Sequence, residues 1–177
     1  MNVCVFCGSA VGNNPLFADT AAKLGKLLAD SSHTLIYGGG NVGLMGILAD
    51  AVLANKGEVI GIIPDFLMQR EVGHKGLTRL EVVESMHLRK KRMADLSDAF
   101  IAIPGGWGTL DELAEILTWR SLGLIYQPIG VLNTNLFFDP LLQQMRSMVK
   151  EGFLHAENLD LLIVEDSATI LLERLSA

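Results

Sequence analysis

Short apolar runs along this chain alternate with longer segments in which apolar residues recur every three or four positions. The runs are Val3 to Cys7, Thr34 to Tyr37, Val59 to Ile63, Leu80 to Val83, Ala99 to Ile103, Ile129 to Asn133 and Leu161 to Val164. They are apolar runs rather than alternating ones, as strands covered on both faces are. Between them, helical spacing predicts helices from Leu16 to Asp30 (Phe17, Ala21, Leu24, Leu27, Leu28), through about Asn55, from Met86 to about Leu96, from Leu110 to Gly123, from Pro140 to Glu151, and from Ser167 onward. Residues 65–80 read as irregular. Strand–helix alternation without repeats or linkers predicts one α/β domain over residues 1–177, a Rossmann-like parallel sheet with helices on both faces.

Composition narrows the partners. Half of the 177 residues are apolar and 19% are charged, so a packed core is expected and disorder is not. A net charge of −6 and a pI near 5.1 argue against nucleic acid or a membrane surface as the main partner. Met1 to Phe6 runs straight into a strand instead of a signal segment, and no apolar run approaches the ~18 residues of a membrane span. The expected compartment is the cytoplasm. Cys4 and Cys7 have C-x-x-C spacing but lie within a strand, on opposite faces, and read as small buried hydrophobes.

The chemistry concentrates in Ala99 to Glu112. Pro104 stops the strand, Gly105, Gly106 and Gly108 allow a tight turn and a close ligand approach, and Thr109 is placed to cap a helix whose first N–H groups favour an anion. A second loop, Gly38-x-Gly40-x-x-Gly43, fits the dinucleotide fingerprint, with Asp65 downstream for a ribose contact. It reads as a phosphate or nucleotide loop, with Gly39 and Gly40 among its N–H donors; the alternative is a turn that packs helix against strand.

At about 100° per residue, Met86, Met93 and Leu96 form the buried stripe of their helix. Arg89 falls within that stripe, Lys90 at its edge, and His87 and Lys91 opposite. An arginine on the apolar side calls for a carboxylate or phosphate, which its planar fork suits; the bland reading is a solvated basic run. In the next helix, Leu110, Leu113, Ala114 and Leu117 read as the core stripe. Glu112, Glu115, Ile116 and Trp119 gather on the other side and read as a cleft wall. Glu112 has a structural rival role, since Thr109-Leu-Asp-Glu112 is a capping box. A nucleophile elbow, a Walker lysine loop and a zinc-type histidine cluster are all missing from the sequence.

Taken together, these motifs resemble the Lonely Guy family, the cytokinin riboside 5′-monophosphate phosphoribohydrolases. The resemblance rests on Cys4-Val-Phe-Cys-Gly-Ser9, Tyr37-Gly-Gly-Gly40 with Val42-Gly-Leu-Met-Gly46, Met86-His-x-Arg-Lys90, and above all Pro104-Gly-Gly-x-Gly-Thr-x-x-Glu112 with Thr118-Trp119. Asn41 and Trp107 stand where the commoner forms carry serine and tyrosine. The resemblance implies a homodimer that hydrolyses the N-glycosidic bond of N6-modified AMP, and in some members AMP itself, to free base and ribose 5-phosphate. By motif, Arg89 and Glu112 are the implied catalytic residues. Substrate contacts are implied at Glu71, Lys90, the loop Gly105, Gly106, Trp107, Gly108, Thr109, Leu110 and Asp111, and at Thr118. Glu115 on the cleft wall completes the expected binding set. No cofactor or metal is implied. Members have also been labelled lysine decarboxylases, but no lysine here sits in a recognisable pyridoxal-phosphate setting. Two other readings are a nucleotide-binding sensor without catalysis and, on the Gly38 loop and Asp65, a nicotinamide oxidoreductase.

Overall fold

A computed structural model describes residues 1–68 and 73–177. Seven parallel strands form one sheet in the order β4-β3-β2-β1-β5-β6-β7. They are β1 (Asn2–Phe6), β2 (Thr34–Tyr37), β3 (Val59–Pro64), β4 (Arg79–Val83), β5 (Ala99–Ala102), β6 (Ile129–Leu132) and β7 (Leu162–Glu165). The helices are α1 (Pro15–Asp30), α2 (Gly43–Ala54), α3 (Met86–Asp95), α4 (Trp107–Ser121), α5 (Asp139–Lys150) and α6 (Ala168–Ser176). The strand and helix positions match the sequence pattern to within a few residues.

The two-residue period of each strand divides the core in two. Val3 and Val5 of β1 with Cys7 just past its end, Leu35 and Tyr37 of β2, and Ala99 and Ile101 of β5 face the layer of α1, α2 and α6. Cys4 and Phe6, Ile36, and Phe100 and Ala102 face the layer of α3 and α4. Cys4 and Cys7 are therefore buried on opposite faces and form no disulfide with each other, as their strand placement predicts.

The chain steps outward from β1 through β2, β3 and β4, then returns to β1's other side as β5. β1 and β5 pair in register from Val3↔Ala99 to Phe6↔Ala102. Their carboxyl ends mark the switch point, where an open α/β sheet leaves a crevice because the two connections diverge. Gly8 N–H donates to the Pro104 carbonyl at 3.1 Å and locks the two exits side by side. Among the described residues no helix is long and apolar enough to cross a membrane.

Candidate active site

A cavity of about 190 Å³ occupies this switch point. Cys7, Gly8 and Ser9 enter it from the end of β1, Gly38 from the end of β2, Met86 and Arg89 from α3, and Gly106 to Thr109 with Glu112 from the opening of α4. Met45 and Leu67 complete its wall. The two charged groups are both deeply buried, Arg89 with 5% and Glu112 with 9% of its surface exposed. Burying opposite charges together in one small cavity costs solvation and does little for stability, so the arrangement points to chemistry.

Arg89 is where helical periodicity puts it, on the buried stripe beside Met93. Ser85 caps α3 by accepting from Leu88 N–H at 3.2 Å. Arg89 Nη2 donates to the Gly38 carbonyl at 3.0 Å. The fit is close, since a Cβ on Gly38 would lie 1.8 Å from that nitrogen.

The capping-box reading of Glu112 does not hold. Helix α4 begins at Trp107, its cap residue is Gly106, and no side chain caps it. Thr109 therefore sits in the first turn rather than before it, and its buried Oγ1 has no hydrogen-bond partner among the described residues. The wheel for α4 needs a matching correction. The stripe facing the sheet is Thr109, Glu112, Leu113 and Ile116, whereas Leu110 and Ala114 are exposed and Leu117 is half-buried. Those three residues instead line an apolar groove of about 700 Å³ against α5 and β7, together with Thr118. Trp119 packs against the core. Glu112 thus belongs to the inward face, at the point where that face overhangs the sheet's end and meets the cavity.

Behind the cavity lies Cys4. Burial, and next the negative charge of Glu112, push its thiol well above the ordinary value, so it stays neutral.

Lys90, Asp111 and Glu115 come together outside the cavity. Lys90 Nζ lies 3.0 Å from Asp111 Oδ2 and 3.2 Å from Glu115 Oε2, tying α3 to α4. Burial opposes the Lys90 charge, but hydrogen bonds to the two carboxylates outweigh it and raise the ammonium's pKa. Thr118 Oγ1 donates to the Ala114 carbonyl at 2.7 Å. Glu71 lies outside the described residues.

The Gly38 loop is mostly a packing device. Gly39 packs on Ile63 and Leu80, and Gly40 accepts from the Tyr37 hydroxyl at 3.2 Å. Gly43 lies against the Ser9–Ala10 backbone. Of this loop only Gly38 lines the cavity, and Asp65, exposed at the start of a short 3-10 helix, does not. The phosphate-loop expectation for Gly39 and Gly40, and the nicotinamide reading with it, lose their geometric basis. Sequence reasoning carried Gly8 and Ser9 only as the end of the Cys4–Ser9 motif. Their signal was available, since they follow β1, the strand at which the order of the sheet reverses.

A parallel sheet covered on both faces, with an anion-suited cavity at its switch point, is a Rossmann-like α/β architecture. Solved structures share it: the molybdenum cofactor binding protein of Rippkaea orientalis (TM-score 0.70, 22% identity, 99% of this chain and 93% of that one) and the Moco carrier protein of Chlamydomonas reinhardtii (TM-score 0.73, 19% identity, 99% and 96%). These likenesses show the fold. A family model described as "Possible lysine decarboxylase" matches residues 45–175. The "Probable cytokinin riboside 5'-monophosphate phosphoribohydrolase LOGL1" of Oryza sativa subsp. japonica is 43% identical over 173 residues, covering 98% of this chain and 78% of that protein. The "Cytokinin riboside 5'-monophosphate phosphoribohydrolase LOG1" of Arabidopsis thaliana is 42% identical over 173 residues, covering 98% and 81%. This chain belongs to that family of enzymes, the LOG family.

Proposed function

We propose that this protein hydrolyses the N-glycosidic bond of N6-modified, cytokinin-type adenosine 5′-monophosphates, and of AMP itself, releasing free base and ribose 5-phosphate. The observation that carries the reading is the burial of Arg89 and Glu112 in one small cavity beneath the Gly105–Thr109 turn. The names of the LOG relatives support the same bond.

In this reading Arg89, the first N–H groups of α4 and the Thr109 hydroxyl hold the 5′-phosphate, since dipole and donors both favour an anion there. Trp107, almost wholly exposed at the cavity mouth, borders the path of the base. As the C1′–N9 bond breaks, its electron pair leaves with the base and positive charge builds on the ribose. The Glu112 carboxylate stabilises that charge and orients the water whose oxygen adds to C1′ as it gives up a proton to solvent. A guanidinium cannot serve as the general acid at neutral pH. Asp111 is tied to Lys90 outside the cavity, so solvent delivers the proton to the departing base. Lys90 acts by holding α3 against α4 and thereby setting the spacing of the two catalytic residues. No cofactor enters the scheme. The protein acts in the cytoplasm as a homodimer, and the apolar groove beside α4 supports that assembly.

Incubation with AMP and with isopentenyladenosine monophosphate, followed by chromatography for free base, tests the activity. Base release is expected, and a sensor would bind nucleotide without it. Glu112→Gln should lower turnover by roughly 10³-fold, the scale of a lost transition-state charge contact, while the protein remains folded. Near-normal turnover would remove Glu112 from this role. Sedimentation equilibrium tests the dimer.

A further inference from the structure

His74 is a buried histidine that the catalytic scheme leaves unused, with 7% of its surface exposed. The Gly76 N–H donates to its Nδ1 at 3.0 Å. A backbone N–H can only donate, so Nδ1 carries a lone pair and the ring proton sits on Nε2. Nε2 in turn donates to Asp50 Oδ1 of α2 at 2.9 Å. The ring thus closes the 73–76 turn with one nitrogen and fastens it to α2 with the other.

That turn grips the end of β2. The His74 backbone N–H donates to the Gly39 carbonyl at 3.0 Å, and Gly73 bridges to Gly40 in antiparallel sense. One peptide earlier, the Gly38 carbonyl accepts Arg89 Nη2. The strip Gly38–Gly40 is therefore held on one side by the turn and receives the guanidinium on the other. Only the Gly39 α-carbon, packed on Ile63 and Leu80, separates the peptide held by His74 from the one that accepts Arg89, so a shift of the first carries to the second. The Asp50 side chain is 68% exposed, so its bond to His74 adds little stability. What it supplies is position.

We propose that His74, keyed to Asp50, is a positioning residue that sets the Gly38 carbonyl and through it the aim of Arg89 at the anionic end of the substrate. The kinetic test rests on the hydrolase reading above; the binding test does not. Asp50→Ala, at an exposed site, and His74→Asn, which keeps an acceptor for Gly76 but cannot reach Asp50, should each raise KM roughly three- to tenfold, the scale of one hydrogen bond. Turnover should stay within about twofold, because Glu112 is untouched. Affinity for ribose 5-phosphate, measured by calorimetry, should fall by the same factor as KM rises. His74→Gln, whose amide nitrogen takes the place of Nε2, should keep most of the affinity. The double variant Asp50→Ala/His74→Asn should be no worse than either single one.

Wild-type KM and ribose 5-phosphate affinity in both single variants would overturn the proposal. So would a loss of turnover at constant KM, or an equal loss in His74→Gln, which would make the ring a plain structural element. If the wild-type protein binds ribose 5-phosphate but releases no base from any nucleotide, the hydrolase reading falls and the calorimetric series alone decides the role of His74. If it neither binds ribose 5-phosphate nor releases base, both fall.

Discussion

The two glycine loops look alike in sequence, and both leave a strand at the same edge of the sheet. Their surroundings differ. A Cβ on Gly38 would meet Arg89 at 1.8 Å, and one on Gly43 would meet the Ser9 carbonyl carbon at 2.2 Å. In the second loop a Cβ on Gly105 would meet Thr109 Oγ1 at 2.1 Å, but around Gly106 and Gly108 it would meet nothing within 4 Å. Gly38, Gly43 and Gly105 let protein approach protein; Gly106 and Gly108 leave room for something else. A ligand loop is marked by what lies above its glycines, and counting glycines does not reveal that.

Substitutions can break or sharpen this contrast. The largest effect is expected at Gly38. Gly38→Ala must drive Arg89 off its carbonyl, so catalytic efficiency should fall by roughly 10²-fold, the scale of a misplaced catalytic contact. The obstructing atom is a side-chain end, so the fold should survive. Unchanged efficiency in a steady-state assay would mean that Arg89 can serve from elsewhere. At Gly43 the obstruction is backbone and φ is +58°, so Gly43→Ala should cost about 2–4 kcal/mol of stability, read by urea denaturation. A loss below about 1 kcal/mol would show the loop to be looser than its contacts imply.

Gly108→Ala should behave in the reverse way. It lies in the first turn of α4 facing open space, so helix stability should rise by about 0.5–1 kcal/mol, while KM rises several-fold if ligand occupies that space. A more stable protein with unaltered KM would move the ligand away from this loop.

The smallest effect lies outside both loops, where Arg92 holds α3 to the edge strand β4 through Glu81 at 2.8 and 3.1 Å. The Arg92 hydrogen bonds hold the Glu81 carboxyl below its ordinary value against a smaller opposing effect of burial, and Arg79 adds its charge. A depressed carboxyl value contributes stability that is present above the unfolded value of about 4.3 and is lost as pH falls through the lower, folded one. Arg92→Ala should therefore cost less than about 1 kcal/mol at neutral pH, and the thermal midpoints of variant and wild type should converge in acid. A difference that persisted in acid would assign the loss to packing.

Much of this was readable beforehand. Apolar runs located the strands: the central ones are continuous because a strand buried on both faces needs no alternation, while Glu81 interrupts the edge strand β4. Arg89 was readable because α3 lies along the sheet, where its apolar stripe and its buried stripe coincide. Helix α4 departed from the pattern for a geometric reason. Its first turns overhang the carboxyl end of β5, so the face turned toward the sheet meets a cavity there and carries Thr109 and Glu112. Its leucines at 110 and 117 line the groove beside α5 instead. Apolar periodicity reports which residues avoid water, and two surfaces of α4 do so.

Sequence alone sufficed for the order of elements, the parallel sheet, the family motifs and the pairing of Arg89 with Glu112 as candidates. These follow from local chemistry: side-chain period, strand-stopping proline and residue types at set spacings. Tertiary structure decided that Glu112 faces inward and is no cap, that the Gly38 loop packs while Gly106 and Gly108 face open space, and that Lys90 joins two helices. Each of these depends on what lies across a gap from a residue distant in the chain. Only the side-by-side pairing of β1 and β5 at the switch point brings the cavity residues within reach of one another.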